Sequence, residues 1–355
     1  MSAATPRILI CRLSAVGDVL HGLPVLNALR AAFPQALLAW VVDRRMQALL
    51  QEHPALDELI VVSRRWLRSP GEVWQLRRRL RQLRFDVSID LQGLSKSAIA
   101  AWLSGAKRRI GFGDENGREL SRWLNNERIR TSAVHIIDRN LELLRPLGIE
   151  HPAVRFDLPE APADARTVEA FLQTAGLQAG FAILNPGAGW PSKLWPWERY
   201  AAVARHLGEV CRLPSVVVWG GASERQWAEQ IVAQSAGHAT LAPPTSLREL
   251  AALARRARLL VGSDTGPLHL AVAVGTACVG LYGPMSAQRN VPYGPQHIAL
   301  QKMWLDDSQR NRRHASPTLM EAIDVGTVCQ ACEEVLRRGE EQRDKGTEGH
   351  KGRRV

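Results

Sequence analysis

Arg258-Leu259-Leu260-Val261-Gly262-Ser263-Asp264-Thr265-Gly266-Pro267-Leu268-His269-Leu270-Ala271 is the stretch from which the fold is read. Leu259-Leu260-Val261 is a short apolar run bounded by a turn signal, as in a strand buried on both faces of a parallel sheet. The run stops in a small polar loop, residues 262–266. Pro267 then stands where a first helical residue belongs, because its fixed φ suits that position and its missing N–H is not needed there. Strand, tight loop and helix start together aim free backbone N–H groups and a partial positive charge at the space above the strand end, where a phosphate is stabilised. The same residues also suit an ordinary strand-to-helix turn capped by Asp264 or Thr265.

The pattern repeats in both directions along the chain. Apolar, strand-like runs occupy 7–13, 37–42, 58–62 and 85–91, with helical spacing over 19–33, 71–84 and 95–103. A polar, proline-containing segment over 150–164 marks a boundary. A second set of strands is expected at 181–184, 215–219, 258–261 and 278–282, with helices over 197–207, 224–235 and 247–257. Strands alternating with helices build βαβ units and parallel sheets. The expected fold class is therefore α/β, with two Rossmann-like domains at 1–160 and 161–335. Their strand carboxyl ends are expected to face a central cleft. A last helix is expected over 318–338. The basic tail, 336–355, is nearly free of apolar residues towards its end and is expected to be disordered.

The 355 residues are 45% hydrophobic, enough for two full-sized cores. No run reaches the roughly 18–20 apolar residues that span a bilayer. Met1-Ser2-Ala3-Ala4-Thr5-Pro6-Arg7 leads into a strand without an apolar signal core, so a cytoplasmic location is expected. Five scattered cysteines (Cys11, Cys211, Cys278, Cys329 and Cys332) do not make a disulfide framework. Cys329 and Cys332 form one CxxC without the second pair that a structural zinc site needs.

The net charge of +11 reflects either the basic tail and an arginine-rich composition or an anionic partner: nucleic acid, phosphorylated lipid or nucleotide sugar. Part of it lies in the tail. Much of the rest lies in Arg64, Arg65, Arg68, Arg77, Arg78, Arg79, Arg81 and Arg84. Val73, Leu76, Leu80 and Leu83 keep helical spacing there, which gives a basic amphipathic helix. Such a helix suits an anionic membrane surface, or is simply a solvated face. No recognised nucleic-acid module appears, and nucleic acid is not expected as a partner.

Three further loops open helices. In Ser14-Ala15-Val16-Gly17-Asp18-Val19-Leu20-His21, Asp18 lies where a carboxylate is favoured by the helix dipole, and capping alone would place it there. The pattern is not the dinucleotide G-x-G-x-x-G. In Asn185-Pro186-Gly187-Ala188-Gly189-Trp190-Pro191-Ser192-Lys193-Leu194-Trp195-Pro196, glycine and proline enforce a special backbone path. Lys193 is either a surface lysine or a flexible point charge suited to a diphosphate. In Trp219-Gly220-Gly221-Ala222-Ser223-Glu224, Glu224 either accepts bonds from ribose hydroxyls or caps its helix. Neither a Ser-His-Asp order nor a His-Glu-x-x-His or Asp-x-Asp metal pattern stands out. Charge stabilisation would then rest on helix N-termini and Lys193, with no metal.

Taken in order, these loops resemble the bacterial ADP-heptose:lipopolysaccharide heptosyltransferases, glycosyltransferase family nine. The carrying motifs are Gly17-Asp18-Val19-Leu20-His21, Asp90-Leu91-Gln92-Gly93-Leu94-Ser95-Lys96-Ser97, Lys193-x-Trp195-Pro196, Trp219-Gly220, Asp264-Thr265-Gly266-x-x-His269 and Tyr282-Gly283-Pro284. Arg64-Arg65-Trp66 looks closest to the heptosyltransferase I branch. The resemblance implies a GT-B architecture and inverting transfer of L-glycero-D-manno-heptose from ADP-heptose to the Kdo and inner-core region of lipopolysaccharide. It implies Asp18 as general base. Lys193 and the N–H groups of Thr265 and Gly266 would stabilise the departing diphosphate. Asp264 would hold heptose hydroxyls, Glu224 the adenosine ribose, and His269 belongs to the same donor-binding set. Arg64, Arg65 and Arg118 would meet acceptor phosphates or Kdo carboxylates.

The partners so implied are an ADP-sugar donor, an anionic lipid A/Kdo acceptor and a peripheral contact with the inner face of the inner membrane. No cofactor is expected beyond the donor itself. Two other readings use the same sequence: a non-catalytic binder of sugar nucleotides or envelope glycans on this fold, and RNA binding through the arginine run.

Overall fold

The computed structural model describes residues 5–305 and 309–351. The chain divides between Pro159 and Glu160 into two compact units. The first contains β1 (Arg7–Cys11), α1 (Val16–Leu20), α2 (Leu23–Ala32), β2 (Leu37–Asp43), α3 (Gln47–Leu50), β3 (Glu58–Val62) and α4 (Pro70–Gln82). It continues with β4 (Val87–Asp90), α5 (Ser95–Ser104), β5 (Arg108–Phe112), α6 (Ser121–Leu124), β6 (Glu127–Ile129) and α7 (Ile136–Glu142).

The second unit contains α8 (Pro162–Thr174), β7 (Ala182–Asn185), α9 (Trp197–Glu209), β8 (Ser215–Val217), α10 (Ala222–Gln234), β9 (Ala239–Leu241) and α11 (Leu247–Arg256). It ends with β10 (Leu259–Ser263), α12 (Gly266–Ala273), β11 (Cys278–Tyr282), β12 (Ile298–Gln301), α13 (Gln309–Arg313), α14 (Thr318–Glu321) and α15 (Val325–Lys351).

Each unit holds a six-stranded sheet, ordered β3-β2-β1-β4-β5-β6 and β12-β11-β10-β7-β8-β9. Every recorded pairing is parallel, with β1 set between Leu38 of β2 and Val87 of β4 at Ile8. Ile8, Leu9, Ile10 and Cys11 are buried, which is why this run has no polar alternation. In both sheets the strand order reverses once, between β1 and β4 and between β10 and β7. Loops after those strands diverge there and leave a crevice, the usual ligand position in a doubly wound sheet.

Four strands escape the sequence pattern: β5, β6, β9 and β12. They are short and lie towards the sheet edges, where charged residues such as Arg108, Arg109, Glu127 and Arg128 interrupt the apolar run. The spacing over 19–33 predicts one helix, but the chain forms two. Gly22 lies at the break, where a Cβ would come 2.7 Å from the Trp40 ring, and Pro24 opens α2. The helix expected over 318–338 is likewise divided. The Asp324 carboxylate accepts from the Thr327 N–H at 2.8 Å and restarts the chain as α15.

The basic tail expected to be disordered over 336–355 is described as far as Lys351, where α15 ends. Val328, Ala331, Cys332, Val335 and Leu336 bury its first turns in the second core. Beyond them Arg337 and Arg338 pair with Glu334, and Arg337 also with Glu341, as i,i+3 and i,i+4 helix contacts. Residues 352–355 lie outside the described residues. All five cysteines are free thiols. Among the described residues no helix is long and apolar enough to cross a membrane.

Candidate functional site

In the first unit the crevice at the β1/β4 reversal is organised by the Asp90–Ser97 motif. Asp90 is fully buried and accepts from the N–H groups of Gln92 (3.0 Å) and Gly93 (2.9 Å) and from Asn125 Nδ2 (3.0 Å). Burial pushes its carboxyl up, against the pull of those bonds. Gly93 has φ 65°, and a Cβ there would fall 2.1 Å from the Asn116 carbonyl oxygen, so only glycine fits this turn. The tightened loop reaches its neighbours. Gln92 Oε1 accepts from the Leu13 N–H at 2.9 Å, and the Gly93 carbonyl accepts from the Arg118 N–H at 2.9 Å. Lys96 Nζ donates to the Arg64 carbonyl at 3.0 Å. Arg64 and Arg118 are thereby fastened at the backbone to one loop, and their side chains and that of Arg65 are exposed.

Asp18 stands beside this loop. One carboxylate oxygen accepts from the Ala15 N–H at 3.0 Å, and the other pairs with the Arg12 guanidinium. Arg12 is buried, donates also to the Leu91 carbonyl and offers its own carbonyl to Trp40 Nε1 at 2.9 Å. The Asp18 side chain remains 45% exposed. Asp18 thus bonds the start of its own helix through one oxygen and Arg12 through the other, while part of the carboxylate stays exposed. Arg12 escapes the sequence reading; its signal is a charge directly after the buried run Ile8-Leu9-Ile10-Cys11.

In the second unit the β10/β7 reversal brings Lys193 to Asp264. Lys193 Nζ lies 2.5 Å from Asp264 Oδ2 and 2.9 Å from the Asp264 carbonyl. Asp264 Oδ1 lies 2.9 Å from His269 Nε2 and accepts from Asn290 Nδ2 at 2.6 Å. Burial alone would push the Asp264 carboxyl up. The His269 hydrogen bond and the Lys193 ammonium more than offset it and hold the group well below the usual carboxylate range. Only 5% of the Asp264 side chain is exposed, and His269 is buried. Both carboxylate oxygens are occupied by protein partners, and Asp264 fixes Lys193 and His269 in place. Asn290 escapes the sequence reading, since nothing in its local pattern announces a contact with Asp264.

Lys193 Nζ also lies 4.9 Å from the centre of the Trp190 ring, and the Arg313 guanidinium approaches the same ring at 4.9 Å. Thr265 precedes the first turn of α12, with its Oγ1 accepting from Asn185 Nδ2 at 3.2 Å. Thr265 and Gly266 are partly exposed, and the first N–H groups of a helix have no intrahelical partner. Glu224, in the first turn of α10, accepts from the Gly220 N–H at 2.7 Å, one residue before the helix N-cap. Its carboxylate also lies against the Lys193 loop: a Cβ on Gly187 would fall 2.3 Å from it. Among the described residues no group of three or more His, Cys, Asp or Glu side chains is placed to hold a metal ion.

Residues 73–317 match the model of glycosyltransferase family 9 (heptosyltransferase). Lipopolysaccharide heptosyltransferase 1 of Pseudomonas aeruginosa is 30% identical over 306 residues, which cover 83% of each chain. The chain belongs to glycosyltransferase family 9. Lipopolysaccharide heptosyltransferase 1 of Escherichia coli K12 is 28% identical over 292 residues, covering 78% of this chain and 88% of that one. Among solved structures, the family 9 glycosyl transferase from Veillonella parvula superposes with a TM-score of 0.83 at 25% identity, covering 95% of this chain and 99% of that chain. The E. coli heptosyltransferase WaaC with ADP shares the fold at a TM-score of 0.71 and 24% identity, covering 92% and 97%. The architecture is GT-B, and the family 9 chain is a glycosyltransferase. Both clusters described above sit where this fold reverses its strand order.

Proposed function

We propose that this family 9 enzyme moves a heptose from ADP-heptose to the Kdo and inner-core region of lipopolysaccharide, with inversion at the anomeric carbon. The carrying observation is Lys193 locked by Asp264 beside the open N-terminus of α12. A fixed ammonium and unpartnered backbone N–H groups at one strand end suit a diphosphate whose negative charge grows as it leaves. Glu224, beside the same loop, suits the ribose of the adenosine.

Direct inversion needs a base on the acceptor hydroxyl, and we assign it to Asp18. Its exposed edge takes the proton while Arg12 and the Ala15 N–H hold its orientation. The hydroxyl oxygen forms the new bond to the anomeric carbon, and the bond from that carbon to the diphosphate breaks, releasing ADP. Arg64, Arg65 and Arg118 suit the anionic acceptor, with guanidinium forks matched to phosphate or carboxylate. A lipid-borne acceptor would place the enzyme in peripheral contact with the inner membrane. The relatives named lipopolysaccharide heptosyltransferase 1 support the choice of substrates.

The decisive assay incubates the protein with ADP-heptose and a series of truncated lipopolysaccharide acceptors and measures ADP release. Release with one acceptor supports the reading and names the acceptor. No release with any of them, from protein that remains folded, overturns it.

A further inference from the structure

Helices α4, α5 and α6 form one layer of the first unit. Arg81 Nε on α4 donates to the Leu103 carbonyl of α5 at 3.1 Å. At the start of α5 the Ser95 hydroxyl donates to Glu119, just before α6, at 2.7 Å. Leu76 and Leu80 of α4 and Ala100, Ala101 and Leu103 of α5 pack inward, in one core with β1, β2 and β3. The outward residues are not the usual polar set. Trp74 on α4 is 60% exposed, Trp102 on α5 51% and Trp123 on α6 83%, with Leu120 at 48% beside the last.

Single exposed apolar residues are ordinary. Three of the chain's eleven tryptophans on three successive helices are not. Arginine accompanies them: Trp74, Arg77, Arg78 and Arg81 follow one helical stripe, and the Arg78 guanidinium lies 5.4 Å over the Trp74 ring. Arg77 and Arg78 are exposed and have no acidic partner among the described residues. The donor and base clusters use none of these side chains.

We propose that the outer face of α4, α5 and α6 docks on the anionic surface of a phospholipid bilayer. Trp74, Trp102 and Trp123 enter the headgroup level, where an indole has an apolar body to bury and an N–H to leave in the wet zone. Arg77 and Arg78 meet lipid phosphates. The placement fits the acceptor side, because Arg64 and Arg65 lie just before α4 and Arg118 just before α6. This deepens the peripheral membrane contact proposed above and rests on it. The rings lie on the outer faces of helices, which favours a flat lipid surface over a nucleic-acid strand tracked along a groove.

The test is flotation of the full chain with phosphatidylcholine vesicles, with and without phosphatidylglycerol, followed by tryptophan fluorescence. The protein should float with anionic vesicles only, with a blue-shifted emission. The Trp74→Ser/Trp102→Ser/Trp123→Ser variant should lose at least about tenfold in partitioning. Arg77→Gln/Arg78→Gln should weaken binding and flatten its salt dependence. Because these side chains are exposed, unfolding midpoints should stay put. Vesicle binding absent in the wild type, or undiminished in the triple variant, overturns the proposal. So does RNA, retarded in a gel at physiological salt, displacing the vesicles. ADP release with a deacylated, water-soluble acceptor separates the two claims. Transfer without vesicle binding removes the docking face alone, and vesicle binding without transfer removes the proposed reaction alone.

Discussion

Lys193 and Asp264, 71 residues apart, meet as a shielded ion pair at the strand-order reversal of the second sheet. The pair is anchored from the far side by His269 and Asn290. A lysine that would otherwise wander in solvent is held at one point beside the first turn of α12. The proposed donor site depends on that restraint.

Asp264→Asn should therefore act through Lys193. Donor KM should rise and kcat fall, by roughly 10–100-fold in kcat/KM, as expected when the group orienting a catalytic contact is lost. Lys193→Ala leaves a buried carboxylate without its cation and should cost on the order of 3 kcal/mol in urea unfolding. Unchanged donor KM in Asp264→Asn would show that the pair is structural only.

Asp18→Ala should lower turnover by about 10²–10⁴-fold, the range for losing a general base, while ADP affinity stays within about twofold. Arg12→Ala should show a milder loss of turnover, because it frees the Asp18 carboxylate without removing it. The two variants are compared by initial rates and by calorimetric titration with ADP. Near-normal turnover in Asp18→Ala would take Asp18 out of the base role.

Gly187→Ala tests Glu224 without touching it. The new methyl meets the end of a flexible side chain, so the fold should survive while the carboxylate is pushed aside. ADP binding should weaken several-fold with an unfolding midpoint close to wild type, read by titration and thermal melts.

Acid should destabilise the second unit in two stages. Burial lowers His297 to about 4, and its Nδ1 accepts from the Cys278 N–H at 3.1 Å at the start of β11. An unfolded histidine titrates near 6.5. Between about pH 6.5 and pH 4 the unfolded chain thus binds a proton that the folded chain refuses, and stability falls as pH drops through that window. Burial lowers His53 of the first unit in the same direction. Asp264 is depressed below the unfolded carboxylate value near 4, so its contribution is complete above that pH and is lost as pH falls further. Urea midpoints measured across pH 3–8 should show the decline, and His297→Asn should flatten the upper part of it. A midpoint independent of pH above 4.5 would contradict the His297 assignment.

Local pattern made much of this molecule legible. The buried runs before Asp18 and Asp264 announce parallel strands because a strand covered on both faces has no reason to alternate. Glycine, proline and acidic residues just after such runs announce helix starts, since few other residues fit those backbone and dipole constraints. From these follow the two α/β units, the loops that carry Lys193 and Glu224, and the family. Short strands such as β6 stay hidden because half-exposed edge positions tolerate charge.

What sequence alone could not decide is which side chains touch. Asp264, read in isolation as a loop carboxylate, joins Lys193, His269 and Asn290 in one cluster. The Asp18 that looks like a helix cap is held by Arg12, whose own charge hides behind a strand. The tryptophans of α4, α5 and α6 become one face only when three helices lie side by side. Periodicity reports a residue's position on its own element, whereas contacts across a strand-order reversal depend on how distant loops converge. Only the folded chain fixes that convergence.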